Sequence, residues 1–407
     1  MEKQRIFIFV PGINPQEAQY YLSDDPTFVE PACYSTVALI KLQSRLLKRK
    51  PDLVLAFCTE KVRKEKWTEI EKYFLDLNVK VKDIAIPDGK DETQLNAIIK
   101  IMLEKIPDDC YLTLDLTHGL RSCPIVFSVA VQYIKFLRGK IEIEGFYYGM
   151  LESKNAAGAS PIVNMKVYLD LMEWIYAVRI FGDTYQAIQI ANLLQPFAVR
   201  LGQGKVKSIQ RDLIDFSNAY DLACPIEIGI QARTIGKLLE AELPECLTAE
   251  VPLAQELFRL IGKLADKYKV DFGEKKQAIL TVKELERQAC IIDNYIDSRQ
   301  FDQVLGLIRE WMVCCVMYNN GMESQWLIKS KRLNIEEKLS KMVKDKFRDK
   351  QRDLLNDWEY ICSLRNPIYH HGFSDENPSI SEKRIEKISN IWNKIKNKID
   401  VRKYWNL

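Results

Sequence analysis

The sequence predicts an α/β domain with a mostly parallel sheet, followed by an all-α helical domain. Three observations point to it. Short apolar runs alternate with amphipathic helical stretches up to Tyr148; small and turn-forming residues fill 152–163; and from Val167 onward the apolar spacing is helical almost throughout. The 407-residue length suits two or three domains at roughly 100–200 residues each. With 47% hydrophobic and 28% charged residues, 15 Pro and 17 Gly, the composition excludes a disordered, collagen-like or coiled-coil chain.

Arg5–Val10 is an apolar run of Ile, Phe and Val that stops at Pro11-Gly12, as a buried strand stops at a loop. Val37–Leu47 has helical spacing, Asp52–Cys58 reads as a second buried strand, and Trp67–Leu77 is helical again. Val79–Ile86 alternates as a strand, Glu92–Ile106 is helical, Cys110–Leu116 is a strand, Pro124–Leu137 a helix and Ile141–Tyr148 a closing strand. Helical crossovers between strands imply parallel pairing. Glu152–Val163 is read as a hairpin or connector, which places the boundary between domains 1–163 and 164–407. In the second half, breaks are expected at Gly182, Gly202–Gly204, Pro225, Pro244 and Pro252, with Gly202–Lys207 a loop between sub-bundles.

The ten cysteines form no CxxC pair and lie in apolar stretches, so neither a disulfide framework nor a zinc site is expected, and only three histidines are present. No metal or cofactor is called for. The best membrane candidate, Pro124–Phe136, is too short and is interrupted by Ser128, Gln132 and Lys135, and the N-terminus has no cleavable signal pattern. The chain is therefore expected to be cytoplasmic. Net charge is +3, unevenly spread: +6 over 321–407 and −3 over the rest. A basic end can attract a polyanion, although a mixed Lys/Glu helix face is more often simply solvated.

Ligands of parallel sheets bind beyond the carboxyl ends of the strands, which directs attention to Pro11–Asn14, Thr59-Glu60 and Thr117–Ser122. No GxGxxG or GxxxxGK[ST] follows a strand. Asp115-Leu-Thr-His-Gly-Leu-Arg-Ser122 leads into a helix near Pro124 and gathers anion-binding groups: hydroxyls of Thr117 and Ser122, close backbone approach at Gly119, and the planar fork of Arg121. The competing reading makes Asp115 a buried strand end, Ser122 a helix cap and Arg121 surface. In the helical half, Arg365 is followed by Asn366, Pro367 and the pair His370-His371. An imidazole to move a proton and a guanidinium to offset charge suit metal-free phosphodiester cleavage. An exposed helix end, where Arg and His favour the negative pole, would look the same. Pro367 is expected to end or kink the helix. Arg309-Glu310, on the helical stretch Phe301–Trp311, is read mainly as a solvated face, and Tyr20-Tyr21 and Tyr147-Tyr148 as core or interface aromatics rather than base-stacking ones.

Taken together, Pro11–Asn14, Cys58-Thr-Glu60, Ile86-Pro-Asp-Gly89, Asp115–Pro124 and Gly145-Phe-Tyr-Tyr-Gly149 resemble a CARF domain, the Rossmann-like α/β sensor of type III CRISPR defence. Arg365-Asn366 with His370 or His371 resembles the motif of a HEPN ribonuclease domain. The resemblance implies that Asn14, Thr59, Thr117, His118, Gly119, Arg121 and Ser122 line a cyclic oligoadenylate site. It also implies that Arg365, Asn366 and His370 form a ribonuclease site, His370 keeping the commoner spacing and His371 the alternative. It further implies a homodimer, or a higher assembly of dimers, with cyclic oligoadenylate as allosteric activator and single-stranded RNA as substrate, cut by attack of its own 2′-hydroxyl. Two other readings stay open: a sensor-regulator that binds nucleic acid without cutting it, and a sensor that also cleaves its own cyclic ligand.

Overall fold

The structure, a computed structural model, describes residues 3–200, 204–240, 242–345, 352–369 and 382–407. It divides into two compact units, Met1–Glu173 and Trp174–Leu407. The first contains strands β1 (Gln4–Phe9), β2 (Ala18–Leu22), β3 (Asp25–Ala32), β4 (Leu53–Cys58), β5 (Val81–Ala85), β6 (Cys110–Asp115), β7 (Ile141–Gly149) and β8 (Ser160–Asn164). They form one sheet in the order β3-β2-β8-β7-β6-β1-β4-β5. Helices α1 (Ser35–Leu47), α2 (Glu60–Asp76), α3 (Glu92–Lys105) and α4 (Cys123–Arg138) make the crossovers. β5, β4, β1, β6 and β7 run parallel.

Alternation along β1 shows why this sheet is covered on both faces. Ile6 and Ile8 enter one core, shared with Phe57, Met102, Phe127 and Ile134. Phe7 and Phe9 enter the other, with Val37, Leu39, Ile70 and Phe74. A strand buried on both sides reads as a continuous apolar run, which is how the sequence shows it. Helix ends follow local chemistry. The Asp91 side chain accepts from Gln94 N at 2.8 Å to start α3, and α4 begins with Pro124 in its first turn and stops at Gly139, whose φ of 64° suits a left-handed cap.

Two features depart from the expectation. The hairpin β2–β3 lies at the sheet edge and was not expected, because its strands are largely solvated and include Pro26 and Pro31 instead of an apolar alternation. The segment read as a hairpin or connector belongs to a hairpin: it contains most of β8, which pairs antiparallel with β7 and also parallel with β2. The expected boundary at 163/164 thus falls inside a strand, and the compact units meet at Glu173/Trp174.

Helix α5 (Lys166–Thr184) carries the chain into the second unit. There follow α6 (Ile188–Arg200), α7 (Gly204–Asp221), α8 (Pro225–Glu240), α9 (Glu245–Glu250), α10 (Ala254–Asp266), α11 (Val282–Asp297), α12 (Phe301–Asn319), α13 (Lys329–Lys344), α14 (Arg352–Tyr369), α15 (Glu382–Lys396) and α16 (Arg402–Trp405). Pro225 opens α8 and Pro244 precedes α9, whereas Gly182 is held inside α5 and Gly204–Lys207 form the first turn of α7 and not a loop. The centre is α12, buried from Val304 to Met317 apart from a short polar interruption, with Trp311 packed edge-on against Trp392 and Trp405. Among the described residues no helix is long and apolar enough to cross a membrane.

Candidate functional site

Strand order reverses about β1: β4 and β5 lie on one side of it, β6 and β7 on the other. Such a switch point leaves a crevice beyond the carboxyl ends of the strands. Here it is built around Asp115, the last residue of β6, which is buried. One carboxylate oxygen accepts from Ser35 Oγ (2.6 Å) and Thr36 Oγ1 (2.8 Å). The other accepts from the Thr117 backbone N (3.0 Å) and from Thr117 Oγ1 (2.5 Å). Because Ser35 and Thr36 open α1, the carboxylate also sits at the positive end of that helix.

The bonds continue outward. Thr117 Oγ1 accepts from Gly149 N at 2.7 Å, at the end of β7. His118 Nε2 accepts from Ser35 N at 3.1 Å, and its ring meets Tyr34 edge-on at 5.3 Å. Tyr34 donates to the Gly12 carbonyl at 2.9 Å. The loops after β1, β6 and β7 and the start of α1 are therefore tied into one rim. Gly119 completes it with φ of 113°, where a Cβ would stand 2.6 Å from Val10 Cγ1, so only glycine lets this loop lie against β1.

These positions revise what the sequence residues do. The Thr117 hydroxyl is already committed as both donor and acceptor, so it braces the crevice instead of offering a donor to phosphate. His118 turns inward, and burial lowers its pKa against a smaller opposing effect of Asp115. Arg121 is exposed and makes no hydrogen bond or ion pair among the described residues, so its fork of donors is available. Ser122 precedes α4 without a side-chain capping bond, Thr59 does the same for α2 at the carboxyl end of β4, and Asn14 is exposed in the loop after β1. Tyr34, Ser35, Thr36 and Gly149 were missed. Their signal was a Ser-Thr pair opening an apolar helix, opposite an Asp at a strand end.

In the helical unit, half-buried Arg365 lines a cavity of about 530 Å³ with Asp221, Asp302, Gln303, Glu310 and Ile368 among its walls. Asn366 is exposed; His370 and His371 lie outside the described residues. Helix α14, expected to end or kink at Pro367, runs through it to Tyr369. Pro367 has no N–H to give the Ser363 carbonyl, so one helical bond is left unmade near the end of the helix, and Arg384 of α15 donates to the Leu364 carbonyl at 3.1 Å beside it. Arg309-Glu310 is only partly a solvated face, with the Glu310 side chain 45% exposed and that of Arg309 largely covered. Arg309 donates to Glu310 at 2.8 Å, pairs with Glu336 and lies over the Trp358 ring, while Arg332 donates to Glu310 at 2.5 Å. Two guanidiniums thus fix Glu310 in the cavity wall. Burial pushes the Asp221 carboxyl up, against a hydrogen bond from Gln186.

No family model matches the chain. Over 207 residues, 48% of this chain, it is 28% identical to CRISPR-associated protein MJ1674 of Methanocaldococcus jannaschii, and it spans 30% of that relative's length. Among solved structures, Enterococcus italicus Csm6 bound to cyclic hexa-2'-fluoro-hexa-dAMP is similar over 98% of this chain and 95% of its own. That likeness has 11% identity and a TM-score of 0.43, too low to bear on function.

Two outcomes follow for the rim. Asp115→Ala strands four donors, three hydroxyls and one amide, at about 1–3 kcal/mol for each unsatisfied group, so urea unfolding is expected to show a loss of about 4 kcal/mol or more. An unchanged midpoint would contradict the network. His118 has a folded pKa below its ordinary 6.5, so on acidification the unfolded chain takes up a proton first. Its contribution is complete above about pH 6.5 and is lost as pH falls through the lowered folded value. Melting at about pH 7.5 and about pH 5.5 is expected to show a larger acid loss in wild type than in His118→Gln, which keeps an acceptor but does not titrate.

Proposed function

We propose that this chain is a CARF–HEPN protein of type III CRISPR defence: a sensor for cyclic oligoadenylate, within Met1–Glu173, joined to a metal-independent endoribonuclease in the helical unit. The observation that carries this reading is the braced crevice at the β1–β6 switch point with the unengaged Arg121 fork on its rim, a place suited to phosphodiester groups. Similarity to a relative named as CRISPR-associated supports the setting. Arg365 in an open cavity, with the histidine pair following in sequence, supports the nuclease.

In this reading the 2′-hydroxyl of single-stranded RNA attacks the neighbouring phosphate, His370 moves the proton, and Arg365 offsets charge on the phosphorane-like transition state. His371 is the alternative to His370. The products are a 2′,3′-cyclic phosphate and a free 5′-hydroxyl, and no metal takes part. The protein works as a homodimer, or a higher assembly of dimers, in the cytoplasm. The ligand activates by binding the competent arrangement more tightly than the idle one, since equal affinity would shift nothing.

Labelled single-stranded RNA incubated in EDTA with cyclic tetra- or hexa-adenylate tests this. Cutting is expected only with ligand, and Arg365→Ala or His370→Ala is expected to lose on the order of 100-fold or more. A metal requirement or cutting of DNA would refute the mechanism. Ligand binding without any cutting would replace it with the sensor-regulator reading.

A further inference from the structure

Beside the cavity that Arg365 lines lies a smaller chamber of about 200 Å³, and the two share Ala223, Leu307 and Glu310 as walls. Its other walls include Ile226, Ile292 and the rings of Trp311 and Trp326, of which both tryptophans are buried. Both indole N–H groups are spent on backbone carbonyls, Trp311 on Leu285 at 2.8 Å and Trp326 on Ala278 at 3.1 Å. The terminal nitrogens of Arg332 are spent as well, on Glu310, the Trp326 carbonyl and Cys314 Sγ. What the walls still offer is acceptors. Gln288, only 6% exposed, donates its amide to Glu284 at 2.7 Å, while its side-chain carbonyl oxygen accepts nothing among the described residues. The Glu310 carboxylate takes one bond on each oxygen, from Arg309 and Arg332, and keeps lone pairs to accept more.

We infer that this chamber is a base subsite for the RNA strand and that the base it takes is guanine. Aromatic and aliphatic walls suit a planar ring, and a cavity of about 150 Å³ is already enough to hold benzene. Acceptors without free donors exclude a phosphate and select a base edge rich in N–H groups. Guanine presents a ring N–H and an amino group side by side, which a carboxylate and an amide carbonyl can accept together. Uracil presents its ring N–H between two carbonyls, which would face the acceptors. A lysine or arginine would also donate, but the Glu310 charge is already matched by Arg309 and Arg332, so a neutral donor fits better. Because the chamber adjoins the Arg365 cavity, a base seated in it brings the neighbouring phosphodiester toward Arg365. The inference rests on the nuclease reading in taking its occupant from RNA; it is tested by binding, without cleavage, so the two can fail separately.

Tryptophan fluorescence of the full chain, titrated with guanosine, adenosine, cytidine and uridine, tests the subsite, since Trp311 and Trp326 are among its walls. Guanosine is expected to bind tightest and uridine weakest, with dissociation constants roughly 5- to 150-fold apart, the discrimination of one well-made base-edge pair. Gln288→Met keeps the bulk and removes the acceptor, and is expected to close most of that gap. Ala223→Phe, at a half-buried position shared by both cavities, is expected to weaken all four nucleosides while helical circular dichroism stays unchanged. A wild type that binds no nucleoside, uridine held as tightly as guanosine, or both variants behaving as wild type would overturn the inference. RNA left uncut while guanosine binds as stated would sink the nuclease reading and leave the guanine site standing; RNA cut by a protein with no nucleoside preference would do the reverse.

Discussion

A buried carboxylate that accepts four hydrogen bonds sets the shape of everything at the carboxyl edge of the sheet. Asp115 takes two bonds from the first turn of α1 and two from Thr117. Thr117 passes the constraint to Gly149, and His118 passes it back to Ser35. Three segments that meet only in space are thereby held within hydrogen-bond distance. Left without its donors, a carboxylate at this depth would be too costly to bury, so the geometry is close to all-or-none. Arg121, two residues beyond Gly119, is aimed from a rigid rim even though it is itself exposed.

The helical unit also fixes a carboxylate, here with charged donors in place of neutral ones. Glu310 projects from the central helix α12 and is gripped by Arg309 and Arg332, with Glu336 compensating Arg309 from α13. Charges packed this way are costly unless each has its partner, and removing one is worse than never having placed the pair. The network fixes α12, α13 and α14 around the wall of the cavity that holds Arg365. A cavity wall built from paired charges keeps its shape, and Arg365 lines the same cavity.

How much of this could be read in the sequence depends on whether the signal was local. β1, β4 and β6 are buried on both faces and wrote themselves as apolar runs, and the parallel sheet followed from their alternation with helices. β2 and β3 form the edge hairpin and bury only Tyr20, Leu22, Glu30 and Ala32, too few apolar positions to stand out as strands in the sequence. β8 hid among small residues because Ser160 and Pro161 look like a turn until β7 and β2 flank them. In the site, the Thr117–Arg121 segment was legible by residue type, but the use of each group was not. Sequence could not show that the Thr117 hydroxyl is spent on Asp115, or that Ser35 and Thr36, some eighty positions away, share that carboxylate. The Arg309-Glu310 pair misled for a related reason: a charged pair on an amphipathic helix reads as solvated unless its partners on another helix, Arg332 and Glu336, are known.

Calorimetric titration of cyclic tetra- and hexa-adenylate into wild type and Arg121→Ala is the most direct test that the braced crevice is a nucleotide site whose affinity comes from the exposed guanidinium. A hydrogen bond to a charged group is worth about 1.5–3 kcal/mol. Arg121→Ala is thus expected to weaken binding by roughly 10- to 150-fold while leaving thermal stability unchanged, because the side chain bonds to nothing among the described residues. Equal affinity in the two proteins, or no binding of either ring to wild type, would contradict it.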